Sequence, residues 1–196
     1  CNDNCDKKRE CYRMCFASHP RAKNLHPTKN KNINPLKLLL RSRKKCWFCC
    51  DVCQHIFENN LDAITGKNTW CPYCNRTKLC NNNNCIICFN RSFASHVLSK
   101  YWDYTKNNNV NPRNVSLSCN KKFWLKCNNC NHLYQMFLNN ITGAGRKHLL
   151  GKHCPYCTTT GRGSLCKDEN CSHCYNRSFA SSPRAKNLHP TKNKNI

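Results

Sequence analysis

Residues 121–132 read KKFWLKCNNCNH, and residues 44–55 read KKCWFCCDVCQH, the same pattern 77 positions earlier. In both stretches a lysine pair and an aromatic segment lead into a Cys-x-x-Cys pair, and a histidine follows two residues later. Two cysteines at this spacing can grip one tetrahedral metal ion from a tight turn. The segments on either side of the pair have the composition of short strands. We therefore predict, in each copy, a two-stranded hairpin around a metal-binding turn, here called the knuckle.

A second cysteine pair follows each hairpin, in the motif CPYC at residues 71–74 and 154–157. The two pairs of each copy are separated by 17 and 23 residues, which is typical of a closed structural zinc site. Protein ligands then fill all four positions of a tetrahedral ion, so none remains for catalytic water. The predicted four-cysteine sites are Cys50, Cys53, Cys71 and Cys74 in the first copy and Cys127, Cys130, Cys154 and Cys157 in the second.

Further cysteines lie in linkers, in the pattern Leu-Cys-x4-Cys-x2-Cys at residues 79–88 and 165–174. Each linker supplies three ligands, and His96 is our first choice for the fourth ligand of the middle linker. The third copy has Ser182 at the position of His96, so its site can lack a fourth ligand. The alternatives for the fourth ligand are His26, Asp103 and His189. The predicted linker sites are Cys80, Cys85, Cys88 and His96, an altered N-terminal version with Cys1, Cys5, Cys11 and His19, and the set Cys166, Cys171 and Cys174.

The two knuckle histidines and four cysteines also fall outside these sets. His55 and His132 follow the knuckles, and because the four-cysteine sites are already full, we expect hydrogen bonds from them rather than zinc binding. The remaining cysteines have no counterpart in the other copy, and we expect free thiols at Cys15, Cys46, Cys49 and Cys119. We predict about five zinc ions in all, with the last linker site the least complete.

The composition favours metal over disulfides. The chain has 21 cysteines in 196 residues, an odd number, and six of its Cys-x-x-Cys pairs recur between copies. Hydrophobic residues make up 39% including the cysteines, too few for one large core. There is no apolar run of about 18 residues and no signal peptide. We therefore predict small zinc modules in a reducing, intracellular compartment.

Internal repetition indicates the domain organisation. The segment PRAKNLHPTKNKNI occurs unchanged at residues 20–33 and 183–196, and a diverged copy lies between them. Because the chain begins and ends inside repeats, we expect a piece of a longer array. The predicted modules are residues 1–78, residues 79–164 and a partial third module at residues 165–196.

One helix is expected to complete each core. Residues 92–103 read SFASHVLSKYWD and predict a helix of about three turns, with Phe93, Val97 and Trp102 on one face. The tryptophans before the knuckles, Trp47 and Trp124, lie beside lysines and could stack on bases. In so small a module we expect them instead to be buried against the helix.

The ordered combination of SFAS, Asn-Pro, KK-x-W-x2-C-x2-C-x-H and CPYC resembles the probable zinc-ribbon family found as tandem copies in giant DNA viruses, which has shorter relatives in bacteria. This resemblance covers almost the whole chain. It implies zinc and a treble-clef-like fold. The expected fold class is thus a small metal-stabilised α+β fold, with tandem zinc-ribbon or treble-clef modules joined by cysteine-rich linkers and short helices.

The charge predicts a polyanionic partner. The formal net charge is +24 and stays near +17 after zinc fills five sites. A lysine- and asparagine-rich surface that merely reflects an AT-rich coding sequence is an equal alternative. The candidate phosphate-binding residues are Lys44, Lys45, Lys121, Lys122, Arg146 and Lys147.

No Ser/His/Asp set, paired carboxylates or phosphate loop is present, so we expect no enzymatic activity, no small-molecule substrate and no membrane partner. The leading function is binding of DNA or RNA with low sequence specificity. The alternative is a scaffold, for example of a virion, in which the repeats contact other copies or other proteins. An adaptor appended to a nuclease in a longer protein is a third option.

Overall fold

The computed structural model of the chain describes residues 8–142, 154–158 and 163–189. It divides into two compact units, Cys1–Ser92 and Phe93–Ile196. The helices and strands are α1 (Lys8–Met14), β1 (Lys45–Cys49), β2 (Ile56–Asn60), α2 (Leu61–Thr65), α3 (Ile86–Arg91), β3 (Lys122–Lys126), β4 (Leu133–Phe137), α4 (Leu138–Thr142) and α5 (Ser172–Tyr175). The 3₁₀ helices are Phe16–Ser18, Pro20–Asn24, Pro35–Lys37, Phe93–Ser95, Val97–Tyr101, Pro112–Asn114, Phe179–Ser181 and Pro183–Asn187.

Each unit contains the predicted antiparallel hairpin, and the knuckle forms its turn. In the first knuckle the Cys50 N–H donates to the His55 carbonyl (3.0 Å) and the Gln54 N–H donates to the Cys50 carbonyl (2.9 Å). Gln54 has a left-handed backbone (φ 57°), and Asn131 has the same conformation (φ 58°) in the second knuckle. The strand registers run from Lys45 opposite Asn60 to Cys49 opposite Ile56, and from Lys122 opposite Phe137 to Lys126 opposite Leu133.

The core of each unit lies on the inner face of its hairpin and merges with cysteines of the four-cysteine site. Cys50 and Cys71 belong to the first buried cluster, and Cys127 and Cys154 belong to the second. Packing and metal binding therefore stabilise the same few residues, as expected where a core is too small to fold alone. The fully buried apolar residues at equivalent positions are Phe16, Phe48 and Leu61 in the first unit and Phe93, Leu125 and Leu138 in the second.

Trp47 and Trp124 lie on the outer face of the hairpins, contrary to our expectation of burial against a helix. Side chains alternate along a strand, so burial of Phe48 and Leu125 turns their tryptophan neighbours outward. Each tryptophan is half-buried and stands outside the buried cluster of its unit. An asparagine brackets its backbone: the Asn107 side chain accepts from the Trp124 N–H and donates to the Trp124 carbonyl, both at 2.9 Å.

The predicted three-turn helix at residues 92–103 is replaced by two 3₁₀ helices. The break falls at His96, whose backbone is extended (φ −80°, ψ 140°) and whose Nδ1 accepts a hydrogen bond from the Leu98 N–H at 3.2 Å. A side chain that caps a new turn competes with helix continuation. Phe93 and Trp102 are buried as expected, whereas Val97 is 52% exposed.

The small α+β fold class is confirmed, with two tandem hairpin modules and short helices. The unit boundary follows Ser92, later than the boundary that we predicted after residue 78. Residues 79–92 thus belong to the module that precedes them. Among the described residues, no helix is long and apolar enough to cross a bilayer.

Candidate metal centres

Four clusters of potential metal ligands stand out in the described part of the chain. In each cluster the four ligand atoms all lie within 4.8 Å of one another. All fourteen cysteines involved are free rather than disulfide-bonded. The clusters are Cys50, Cys53, Cys71 and Cys74; His55, Cys80, Cys85 and Cys88; Cys127, Cys130, Cys154 and Cys157; and His132, Cys166, Cys171 and Cys174.

The sulfur separations in the two four-cysteine clusters fit a zinc ion. Zn–S bonds of about 2.3 Å place the sulfurs of a tetrahedral site about 3.8 Å apart. The Sγ atoms of Cys50 and Cys74 are 3.6 Å apart, and those of Cys53 and Cys71 are 3.5 Å apart. Both cross-pairs of the second cluster measure 3.6 Å. The structure therefore brings together every cysteine of the two predicted four-cysteine sites.

The linker cysteines take their fourth partner from the knuckle that precedes them. His55 Nε2 lies 3.4 Å from the Sγ atoms of both Cys85 and Cys88. With Zn–N and Zn–S bonds of about 2.0 and 2.3 Å, the expected N–S separation is about 3.5 Å. His132 Nε2 repeats the arrangement at 3.3 Å from Cys171 and 3.5 Å from Cys174.

Short helices position these linker ligands. Cys85 is the N-cap of α3, and Cys88 lies in the first turn of that helix. The Cys80 N–H donates to the Cys88 sulfur at 3.4 Å, which folds the start of the linker onto the helix. N–H groups at a helix start favour negative charge, so this is a suitable place for a pair of thiolates. The second linker repeats the contact, with the Cys166 N–H donating to Cys174 Sγ at 3.2 Å.

The assignment of His96 as the fourth ligand is therefore wrong, and so is the expectation that His55 and His132 form only hydrogen bonds. His96 Nδ1 accepts the Leu98 N–H, and its ring stacks on Phe93. His19 has the equivalent role, because its Nδ1 accepts from the Arg21 N–H at 3.1 Å.

The last linker site, which we expected to be the least complete, has a full ligand set because its histidine precedes the linker. The N-terminal linker site falls largely outside the described residues, which include Cys11 and His19 but not Cys1 or Cys5. Cys11 is disulfide-bonded, so the prediction that its thiolate binds zinc is wrong. The described residues thus provide four sites with the ligand types of structural zinc.

A tyrosine of each CPYC motif orients the histidine ligand. The rings of His55 and Tyr73 stack with centroids 4.3 Å apart, and those of His132 and Tyr156 stack at 4.4 Å. Within the described structure, the buried Nδ1 of each histidine has no hydrogen-bond partner. Metal-binding histidines are commonly oriented through that second nitrogen. Here stacking on tyrosine has that role, which links the four-cysteine motif to the neighbouring linker site.

Thiol acidity also fits a divalent cation. Burial raises the pKa of Cys71 to about 11 and also raises the pKa of Cys53 far above its usual value. Without metal these buried thiols stay protonated at neutral pH, and a divalent ion is needed to hold four thiolates so close together. Burial of Cys80 acts in the same direction, but hydrogen bonds with His55 and the backbone lower its pKa to about 6.

The cysteines expected to be free thiols lie outside the four clusters. Cys46 and Cys49 share the Cys-x-x-Cys spacing, but both lie on β1, where residues three apart point to opposite faces. Accordingly Cys46 is fully buried in the core and Cys49 is half-exposed. The same spacing binds metal only where the chain turns between the two cysteines, as it does in the knuckles.

A family model described as a probable treble clef zinc finger domain matches residues 22–77 and residues 98–160. The chain belongs to this treble clef zinc finger family. Each matched segment of this zinc finger chain holds one hairpin, one four-cysteine site and one histidine of a linker site. The linker cysteines lie outside both segments, at residues 80–88 and 166–174.

The zinc finger chain is also similar to a viral protein. It is 39% identical over 110 residues to uncharacterized protein R635 of Acanthamoeba polyphaga mimivirus. The aligned region covers 56% of the chain and about a quarter (24%) of that relative's length. The resemblance to a giant-virus zinc family is thereby confirmed.

Proposed function

We propose that this tandem zinc finger chain binds DNA or RNA with little sequence preference, through lysines on its hairpins, and that it has no enzymatic activity. All four clusters have complete ligand sets, so no position on a bound zinc remains for catalytic water. In this proposal the role of zinc is structural, because the bound ions stabilise the hairpins that present the lysines.

The charge balance is the observation that carries the proposal. The chain has 33 lysines and arginines against 9 acidic residues, so one-to-one pairing leaves at least 24 cations unneutralised. Loading lowers the formal charge by two for each four-cysteine site and by one for each linker site, to +18 with four sites filled. Such a surface attracts a polyanion and gains free energy by releasing its condensed counterions.

The hairpins present part of this charge at the same place in both units. A lysine pair begins each hairpin, and all four side chains are exposed. Lys45 Nζ approaches Glu58 Oε2 at 3.8 Å, but an ion pair this exposed is weak and leaves the lysine available to phosphate. The four lysines are Lys44, Lys45, Lys121 and Lys122, whereas Arg146 and Lys147 lie outside the described residues.

The experiment is a salt titration of duplex DNA and RNA binding by the zinc-loaded chain. Each phosphate contacted contributes about 0.9 to the fall of log K per tenfold rise in salt. A variant with the four hairpin lysines changed to alanine should show a flatter slope and unchanged zinc content. The matched control removes four exposed lysines away from the hairpins, Lys23, Lys37, Lys100 and Lys186, and should change the slope less.

Equal slopes for the parent and the hairpin variant would show that the four hairpin lysines do not form the binding surface. No binding by the parent at about 50 mM salt, where phosphate contacts are strong, would remove the nucleic-acid function. Self-association that survives the lysine changes, together with that absence of binding, would instead support a scaffold whose repeats contact other copies.

A further inference from the structure

The outer face of the second hairpin alternates basic and aromatic side chains. Along β3 the outward residues are Lys122, Trp124 and Lys126, both lysines being exposed and the tryptophan half-buried. Opposite them on β4 stand Phe137, Gln135 and Leu133. No acidic side chain lies among these six, so the face is cationic as well as aromatic.

The first hairpin repeats this face in a modified form. Lys45 and Trp47 occupy the positions of Lys122 and Trp124. Trp47 lines a groove of about 450 Å³ that Lys45, Tyr73 and Lys78 also line. Glu58 stands opposite Trp47, where the second hairpin has a glutamine, so the first face carries less net positive charge.

A lysine from outside the strands stands over each indole. Lys29 Nζ is 4.3 Å from the ring centroid of Trp47, and Lys106 Nζ is 6.0 Å from that of Trp124. A flexible lysine over a partly open aromatic ring can swing aside when a base stacks on that ring, and its ammonium can then contact the phosphate of the same nucleotide.

Neither tryptophan is needed to fill a core. The contacts that recur at both positions hold the backbone instead. The Asn30 side chain accepts from the Trp47 N–H and donates to the Trp47 carbonyl, and Asn107 does the same for Trp124. Trp102, in contrast, is 6% exposed and belongs to the second core cluster. Two large, partly exposed indoles at one repeated outward position therefore point to a binding role.

We propose that the outer hairpin faces are stacking platforms for the unpaired bases of single-stranded nucleic acid, with Trp47 and Trp124 as the stacking residues. Bases of a duplex have both ring faces covered by neighbouring bases, whereas bases of a single strand can lie on an indole. The lysines beside each indole contact the backbone of the same strand. This inference rests on the proposed function and names its substrate class.

The test measures binding of zinc-loaded protein to an oligothymidylate of about 12 nucleotides and to a duplex of equal length. A double variant, Trp47→Ala with Trp124→Ala, should weaken single-strand binding by about 5- to 150-fold for each tryptophan. Duplex affinity and the salt slope should stay within about twofold, because the lysines remain.

Two further variants complete the design. The control variant Tyr12→Ala with Tyr175→Ala removes one exposed aromatic side chain per unit. These tyrosines are 50% and 52% exposed and lie outside the hairpins, so both affinities should stay unchanged. Trp47→Phe with Trp124→Phe keeps a ring at each site and should recover most single-strand binding. If the alanine pair loses zinc, the single variants Trp47→Ala and Trp124→Ala, each with its zinc content checked, carry the test.

Unchanged single-strand binding in the zinc-loaded alanine variants would overturn the platforms and leave the lysine surface intact as a proposal. Equal losses on single strand and duplex would also overturn them, because base stacking affects only the former. Absence of binding to either probe by the parent would instead defeat the proposed function itself.

Discussion

Replacing His55 by alanine tests the composition of the linker sites most directly. The change removes one of four ligands, since His55 Nε2 lies 3.4 Å from two linker thiols. It also removes the ring that stacks on Tyr73 at 4.3 Å. The first four-cysteine site keeps all its ligands.

The expected loss can be worked from the ligand count. A structural zinc site contributes on the order of 10–16 kcal/mol, so one ligand of four accounts for about 2.5–4 kcal/mol. The linker site of the first unit should therefore bind zinc about 10² to 10³ times more weakly in the His55→Ala variant. Zinc at the other three described sites should keep its parental affinity, because no ligand is shared.

In a chelator competition, this loss appears as one zinc ion that the His55→Ala variant releases more readily than the parent does. Cobalt substitution adds a spectroscopic readout, since ligand-field bands distinguish a Cys3His site from a four-cysteine site. His96→Ala is the matched control and should leave every site intact. Parental zinc affinity in His55→Ala, or a weakened site in His96→Ala, would refute the ligand assignment.

Three further results are expected. Tyr73→Ala should weaken zinc binding at the same linker site by chelator competition, whereas Tyr73→Phe, which keeps the stacked ring, should not. Cys127→Ser should expose the second unit to proteolysis and leave the first protected, because each core merges with its own zinc site. Zinc binding at the first four-cysteine site must displace protons from Cys53 and Cys71, whose pKa values burial raises. Log affinity measured by competition should thus rise by at least about two per pH unit between about pH 6 and 8, and an affinity independent of pH would contradict this.

The four-cysteine sites could be predicted from the sequence because their ligands lie in two local turns. Cys-x-x-Cys places two sulfurs together at each turn, and the hairpin register only has to bring two turns into contact. The fold class followed from the same motifs. Strand alternation also predicts the outward position of Trp47. We expected burial instead, because a small core needs large apolar side chains to fill it.

The fourth linker ligand could not be read from spacing, because it depends on the linker folding back onto the preceding hairpin. A signal was nevertheless present. Two linkers carry three cysteines each, and a histidine precedes both, at His55 and His132. After the linkers the aligned positions are His96 and Ser182, so only the preceding pair supplies the same ligand type twice.

The linker site has a consequence for the chain as a polymer. While His55 holds the linker cysteines, the segment from residue 75 to residue 92 is fixed to the first unit, and Arg91 also donates to the Tyr73 carbonyl. Release of that one metal ion would free 18 residues as a tether with an end-to-end distance of about 25 Å. The effective concentration of one unit near a strand already held by the other would then change. Under the proposed function, metal supply would thereby set the avidity for long nucleic acids, even with both proposed binding faces unaltered.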